Sequence, residues 1–186
     1  MVANREQIAR AAIRRLNADP VASMTEIAES AGVSRATLHR HFASREELMG
    51  ELGRMSVGSW RQVLDDAGVD GAAADGSAEA ITAALASLCH HWIRDVEEFG
   101  FALTETGAYG QDELAVAVEE QHAREHAFYA AAQQAGVLRA DMSAVWIAHS
   151  AFGLLVGLRE ALRRGDIAAR DAERLLRDSF LRGCAV

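Results

Sequence analysis

The sequence predicts an all-α fold of about nine helices. Half of its 186 residues are apolar, and a single proline, Pro20, interrupts the chain. Apolar residues recur at spacings of three and four along most of its length, which is the period of an amphipathic helix. We find no alternation of the kind that a half-buried strand would have. These observations favour helices over strands.

The first helix is expected over residues 3–17. Ile8, Ala12 and Leu16 are spaced four residues apart, so they share one face of a helix. Pro20, preceded by an aspartate, ends this pattern because proline cannot continue a helix.

Two short helices and a long one should follow. Ser23 and Ser44 each precede a glutamate by three residues, the spacing of a capping box, so helices should begin just after them. Between them, Gly32 provides a turn and Ser34 can cap a short helix that reaches about His41. The result is a helix, a turn and a second helix within roughly twenty residues.

The rest of the chain divides at its glycines and serines. We predict a long helix from Arg45 towards Asp66, a loop over 67–76, and a helix from Ser77 to Gly100. Broken structure should follow over 101–110. Three further helices are expected over 111–135, from Asp141 or Ser143 to Gly165, and over 168–182.

Charge is distributed unevenly between the two parts of the chain. Residues 1–50 hold 7 Arg and 6 acidic residues, a balance of +1, whereas residues 51–186 hold 12 Arg and 21 acidic residues, a balance of −9. Only the first part is therefore not repelled by a polyanion such as DNA. We expect two domains, a DNA-binding domain over 1–50 and a larger helical domain over 51–186.

The short basic helix after Ser34 has the properties of a recognition helix. Val33, Leu38 and Phe42 would pack on the preceding helix and leave the basic residues facing outward. A helix fits the major groove of DNA, and arginine binds guanine edges with two hydrogen bonds. A generic solvated helix pair is the alternative, and the two capping boxes with the apolar triad in one register disfavour it.

The stretch "MTEIAESAGVSRATLHRHFASREEL", residues 24–48, resembles the DNA-binding region of the tetracycline-repressor (TetR) family of bacterial transcription regulators. The resemblance covers about the first fifty residues. It implies a three-helix DNA-binding domain, a fourth helix that leads to a ligand domain, and a C-terminal helix pair that dimerises.

Carried over by position, the resemblance implies a set of DNA contacts. Bases would be met by Thr25, Arg35, Ala36 and Arg40, with Thr37 beside them, and phosphates by Ser34, His39, His41 and Arg45. His39 stands where the family most often has tyrosine, and Arg45 where it often has lysine. Both replacements still suit phosphate, so they affect operator detail only.

The larger part is expected to hold a ligand pocket. Aromatic residues at helical spacing are usually core, but here histidines interrupt the apolar faces, and pockets combine apolar walls with a few polar groups. The family resemblance implies a small, often apolar effector. The candidate ligand-binding residues are Trp92, Phe99, Leu103, Tyr109, His126, Phe128, Trp146, His149 and Phe152.

Metal binding and catalysis are not expected. His122 and His126 have the i, i+4 spacing of helical metal ligands, yet no third ligand stands near them in sequence, and two surface histidines are the simpler interpretation. Cys89 is followed by two histidines, but consecutive helical residues do not face one another. We expect no enzyme activity, no metal and no cofactor.

A homodimer is expected through the last two helices. Small residues recur every four positions on the first of them, where another backbone could approach closely, although packing within one subunit is the alternative. The candidate interface residues are Gly153, Leu154, Gly157, Leu158, Ala161, Leu175, Leu176 and Phe180. A two-fold dimer would match a palindromic DNA site.

The resulting functional hypothesis is a sequence-specific repressor that a small, largely apolar effector releases from a double-stranded operator. An architectural or division-control protein that binds DNA without any effector is the alternative. Two cysteines are too few for a disulfide framework, and the apolar segment 144–158 is too short to span a membrane. We therefore expect a cytoplasmic protein with no membrane partner.

Overall fold

The computed structural model describes residues 4–104 and 112–186, and the all-α prediction is confirmed within those ranges. Nine α-helices and one 3₁₀ turn, Gly100–Leu103, make up the described part of the chain. The helices are α1 (Arg5–Ala18), α2 (Met24–Ser30), α3 (Arg35–His41), α4 (Arg45–Ala67), α5 (Val69–Asp75), α6 (Ala78–Phe99), α7 (Asp112–Gln134), α8 (Ala144–Arg164) and α9 (Ala169–Cys184).

The predicted serine caps begin the helices of the N-terminal part. The Ser23 hydroxyl accepts from the Glu26 backbone N–H at 3.3 Å, and the Glu26 carboxylate accepts from the Ser23 N–H at 2.8 Å, which completes a capping box. Ser44 caps α4 in the same way, but the Glu47 carboxylate accepts instead from the backbone N–H of Ala43, at 2.8 Å. Both helix starts are therefore confirmed, and only the first has the reciprocal bond.

The loop predicted over 67–76 is wrong, because α5 occupies most of it. Gly68 and Gly76 adopt the left-handed conformation, with φ of 68° and 71°, and so bound the helix at its two ends. Val69 and Ala72 between them are buried, and α5 packs against α6 and α7. Tertiary burial of this short apolar face outweighs the poor helix propensity of a glycine-rich stretch.

The most apolar segment belongs to α8, and the helix predicted from Asp141 or Ser143 to Gly165 is confirmed as Ala144–Arg164. The Ser143 hydroxyl caps α8, which continues to Arg164. With 21 residues and a mean hydropathy of 1.3 over its most apolar window, α8 has the length and composition of a membrane span, and a third of that window is buried. It packs against α7, α9 and the 3₁₀ turn. Its apolar side chains are thus divided between a protein core and an exposed face.

Two separate clusters of buried side chains hold the fold together. The smaller cluster unites α1 to α3 and the first turns of α4, from Ile8 to Leu52, and it also includes Phe99, Phe101 and Ala102 from the end of α6 and the 3₁₀ turn. The larger cluster joins α4 to α9 and contains Trp92, among others. The smaller core is therefore closed by residues that come from the larger part of the chain.

Tyr129 provides a test of the larger core. Its ring is fully buried, and its hydroxyl has no hydrogen-bond partner among the described residues. Because an unsatisfied buried hydroxyl destabilises the folded state, we expect Tyr129→Phe to raise the free energy of unfolding by about 1 kcal/mol in urea denaturation. A loss of stability would contradict this and would mean that the hydroxyl is hydrogen-bonded in solution.

Candidate functional site

The helix α3 stands on the surface of the N-terminal part and is fixed by its buried face. Leu38 and Phe42 are fully buried, and Val33 packs against the same cluster. The Ser34 hydroxyl accepts from the Thr37 backbone N–H at 3.1 Å and so begins the helix. On the opposite side of the helix, Arg35, Ala36, His39 and Arg40 are exposed. The helix therefore presents a polar, basic face to solvent.

Hydrogen bonds along α3 hold its basic side chains close to the helix surface. Arg40 donates through Nη2 to the Thr37 hydroxyl at 3.1 Å. Arg35 donates through Nε to His39 Nε2 at 3.5 Å, and the other His39 ring nitrogen lies 3.3 Å from the carbonyl of Ala43. Each arginine keeps further guanidinium donors beyond the single one used here, since the group has five.

The remaining candidate DNA contacts flank α3. Thr25 is exposed in the first turn of α2, and His41 is half-buried at the end of α3. Arg45, at the start of α4, is also half-buried, and its guanidinium donates to the carbonyls of Pro20 and Ala22. Arg45 thus joins α4 to the loop between α1 and α2, a contact that sequence reasoning did not predict.

Arg5 is a second residue of this surface that sequence reasoning missed. Its guanidinium lies 4.2 Å from the centre of the Phe42 ring and donates to the carbonyl of His41. It also forms ion pairs with Glu47 at 3.1 Å and Glu51 at 3.4 Å. These contacts join residues about forty positions apart, so no local pattern could signal them. Arg5 fixes the end of α3 against α1 and α4.

A cavity of about 390 Å³ lies between α4, α6, α7, α8 and the 3₁₀ turn. That volume falls within the roughly 300–1,000 Å³ typical of ligand pockets. Its walls are mostly apolar and aromatic, with acidic and histidine side chains among them. The lining residues are Ser56, Trp60, Trp92, Asp95, Ala102, Leu103, Thr104, Val118, His122, Glu125, His126, Ala148, His149, Ala151, Phe152 and Leu155.

Five of the candidate ligand-binding residues line this cavity. They are Trp92, Leu103, His126, His149 and Phe152.

The structure places three other candidates away from the cavity. Phe99 belongs to the smaller core, and Phe128 is buried in the larger one. Trp146 is 59% exposed on the outer face of α8. Tyr109 lies outside the described residues. Periodicity identified the apolar positions correctly but could not decide which side of a helix meets the cavity, because helix orientation depends on tertiary packing.

Six cavity residues with polar side-chain atoms were absent from the list of candidate ligand-binding residues: Ser56, Trp60, Asp95, Thr104, His122 and Glu125. Glu125 is 8% exposed, and its Oε1 accepts from the Trp60 indole N–H at 3.3 Å. Asp95 accepts from the Ser59 hydroxyl at 2.5 Å. The acid within an otherwise apolar face was the sequence signal for Glu125, whereas Trp60 and Asp95 gave none that separated them from their neighbours.

Burial controls the protonation of both carboxyls. It raises the pKa of Glu125 to about 7, and the hydrogen bond from Trp60 opposes this only in part. Burial likewise raises the pKa of Asp95 to about 6 against the opposing hydrogen bond from Ser59, and Glu98 adds a smaller increase. Desolvation acts in this direction because it disfavours the charged form of an acid.

The two candidate metal ligands of α7 lie side by side in the cavity wall. The rings of His122 and His126 stack with their centres 5.9 Å apart, and the Trp60 ring meets His122 edge-on at 4.9 Å. Burial lowers the pKa of His122, with smaller contributions from His126 and His149, while Glu119 opposes the change. Among the side chains that the structure describes, residues 4–104 and 114–186, no three acidic, histidine or cysteine groups come close enough to hold a metal ion.

The 3₁₀ turn connects the cavity to the N-terminal part. Ala102 lines the cavity and also belongs to the smaller core, where Phe101 is 1% exposed. Asn17 of α1 fastens the turn, since its side-chain oxygen accepts from the Phe101 N–H at 2.8 Å and its amide donates to the carbonyls of Glu97 and Glu98. A movement of this cavity wall would therefore act directly on α1.

The candidate interface residues divide between the core and the surface. Leu158, Leu176 and Phe180 are buried within the larger core of the single chain. Gly153 and Gly157 are exposed on α8, with open space where a side chain would stand, and Leu154, Ala161 and Leu175 are half-buried.

Exposed apolar side chains lie on the same helix as the two open glycines. Val145 and Trp146 are 44% and 59% exposed, and Phe152, which also lines the cavity, is 48% exposed. An apolar surface on the outside of α8 is the kind of feature that marks an interaction site.

Comparison with known proteins adds to this picture. The family model "Bacterial regulatory proteins, tetR family" matches residues 8–52. The chain is similar to the HTH-type transcriptional regulator NfxB of Pseudomonas aeruginosa, at 29% identity over 168 residues, which is 89% of this chain and 86% of the relative.

Solved structures resemble the whole fold. The TetR-like regulator LfrR of Mycobacterium smegmatis, in complex with proflavine, is similar with a TM-score of 0.72 at 22% identity, covering 95% of this chain and 93% of LfrR. The structure of AibR in complex with isovaleryl coenzyme A and operator DNA is similar with a TM-score of 0.70 at 16% identity, covering 95% of each chain.

Proposed function

We propose that this chain is a cytoplasmic repressor of the TetR family, released from a palindromic operator by a small effector bound in the cavity. The observation that carries the proposal is the exposed basic face of α3, fixed on a fully buried apolar face. The cavity, which shares a wall with the core beneath that helix, supports the effector part of the proposal.

The proposed mode of DNA binding follows from the geometry of α3. The guanidinium donors of Arg35 and Arg40 suit guanine edges, while the methyl groups of Ala36 and Thr37 suit thymine. Phosphates would be held by Ser34, His39, His41 and Arg45, whereas Thr25, in the first turn of α2, would lie near bases.

Dimerisation would bring two such helices to one operator. The exposed outer face of α8, with Trp146, Gly153 and Gly157, offers an apolar surface for a second copy. A single helix reads too few base pairs for specificity, and two-fold symmetry places two helices at successive major grooves, about 34–36 Å apart. We therefore assign residues 1–50 to DNA binding and residues 51–186 to effector binding and dimerisation.

Release would follow from linkage between the two sites. A ligand that binds more tightly to a conformer with the wrong helix spacing weakens DNA binding by its differential affinity, typically by about 5- to 150-fold. Binding of small molecules by proteins of the same fold supports the effector part of the proposal: LfrR is seen in complex with proflavine, and AibR in complex with isovaleryl coenzyme A and operator DNA. In this chain the link would run through Asn17 and the 3₁₀ turn.

The decisive experiment measures DNA binding by an Arg40→Ala variant. We expect the wild type to bind the intergenic DNA beside its own gene, with an affinity that falls as salt rises. Arg40→Ala should lose about 1–3 kcal/mol of binding free energy, together with sequence preference, in fluorescence anisotropy titrations. Arg14→Ala is the matched control, because it removes one exposed arginine from α1 of the same domain.

The outcomes separate the candidate functions. If Arg40→Ala binds DNA with the same affinity and sequence preference as the wild type, the recognition role of α3 is wrong. If specific binding persists but none of the small molecules screened relieves it, the alternative of an architectural or division-control protein without an effector gains support.

A further inference from the structure

We propose that the cavity binds a planar aromatic cation, with the Glu125 carboxylate as the group that receives its charge and Asp95 as a second anionic group. This inference rests on the proposed effector site and names the chemical class of its ligand. An apolar effector, the simpler expectation, would leave both buried acids without a function.

Glu125 lacks a charged partner. Its one hydrogen bond in the described structure is the donation from the Trp60 indole to Oε1, and no arginine or histidine of residues 4–104 and 112–186 forms an ion pair with it. The hydroxyl of Tyr129, one turn further along α7, is itself without a partner and does not satisfy Glu125. A buried carboxylate in this state is costly unless a cation or a proton neutralises it.

The other titratable groups around the cavity do not supply that cation. His122 and His126 on α7 and His149 on α8 line the same space, and burial lowers the pKa of His122, which favours its neutral form. Arg159 on α8 reaches the cavity wall by donating to the Thr104 hydroxyl at 3.1 Å, but it is not one of the lining residues. Asp95 on α6 adds a second acid.

The composition of the cavity walls favours a flat aromatic ligand. Trp60, Trp92 and Phe152 line the cavity from three different helices. Aromatic faces attract cations, and tryptophan does so best, with more effect where water is excluded. An aromatic cation would therefore stack on these rings and pair with Glu125 at the same time, whereas an anion would meet two carboxyls.

The test compares two flat probes that differ in charge. At pH 8, 9-aminoacridine is a cation and acridine is neutral, while imidazole side chains carry little charge. Binding is measured by quenching of tryptophan fluorescence in a Trp146→Phe background, so that the signal comes from Trp60 and Trp92. We expect 9-aminoacridine to bind more tightly than acridine. Glu125→Gln should lower the affinity for 9-aminoacridine about 10- to 100-fold and leave the affinity for acridine unchanged.

Two further variants make the result specific. Glu120→Gln removes the same charge from an exposed position of α7, where the carboxylate lies 3.8 Å from the Arg61 guanidinium. This variant should leave the affinity for both probes unchanged. Asp95→Asn should lower the affinity for 9-aminoacridine less than Glu125→Gln does. Each variant is accepted only if its circular dichroism spectrum and melting curve show a folded protein.

Equal binding of the two probes, loss of both in Glu125→Gln, or binding of neither would overturn the proposal. The failure of the proposed function is distinct and is measured separately, as the effect of 9-aminoacridine on operator binding. If the cation binds through Glu125 but does not release DNA, the ligand class is right and the effector role of the cavity is wrong.

Discussion

Replacing Phe101 with alanine is expected to separate the two parts of this protein and to lower its free energy of unfolding by about 3–5 kcal/mol. Phe101 is 1% exposed and lies in the smaller core, although it comes from the far side of the chain, after α6. Its removal leaves a cavity beneath α1 that the rigid 3₁₀ turn cannot fill. Urea unfolding should then become biphasic, with the N-terminal part unfolding first.

Phe128→Ala is the matched control for this prediction. It deletes the same atoms from a position that is also 1% exposed, but in the larger core. Phe128→Ala should lower the free energy of unfolding by a similar amount, but the N-terminal part should not unfold first. If the two variants gave the same unfolding profile by circular dichroism and by tryptophan fluorescence, the chain would behave as one cooperative unit and the role given to Phe101 would be wrong.

We expect the stability of the folded protein to depend on pH through the protonation of Glu125. Burial raises the pKa of this carboxyl in the folded state to about 7 from an ordinary value of 4.5. The folded state therefore holds the proton more tightly than the unfolded state, so this stabilisation is complete below pH 4.5 and is lost as pH rises through 7. The loss amounts to about 3 kcal/mol, at 1.36 kcal/mol for each pKa unit.

Glu125→Gln should remove this dependence, because glutamine stays neutral. At pH 8 the variant should be more stable than the wild type by up to about 3 kcal/mol, and the difference should shrink steadily towards pH 5. Urea denaturation of both proteins at pH 5, 6, 7 and 8 measures it. Equal stabilities at pH 8 would show that solvent reaches the carboxylate, and Glu120→Gln, at an exposed site, should follow the wild type at every pH.

Much of the fold could be predicted from sequence because its signals are local. The caps at Ser23, Ser34 and Ser44 and the end of α1 before Pro20 depend on residues within one turn of each other. The helix α5 could not be predicted in this way. Its glycines indicate a loop, and the burial of Val69 that stabilises the helix depends on α6 and α7, which come later in the chain.

The difference between local signals and packing between distant helices also explains which site residues could be predicted from sequence. The exposed face of α3 follows from the spacing of Val33, Leu38 and Phe42, which lie on the opposite side of the helix, and it needs no knowledge of the rest of the molecule. The cavity lies between helices from across the chain, so its lining depends on how each helix is rotated. Sequence analysis therefore named Trp92 and His126 correctly as neighbours of one space, yet it missed Trp60 and included Trp146 on the outer surface.

The hydrogen bond between Trp60 and Glu125 has a mechanical consequence, because Trp60 and Arg45 lie on the same helix, α4. Fifteen residues separate them, a length of about 22 Å at 1.5 Å per residue. If a ligand displaced the indole and the helix pivoted there by only about 5°, the Arg45 end would move by about 2 Å. In the proposed dimer the two subunits would double this change in separation, which would disturb the fit of the two recognition helices to successive major grooves.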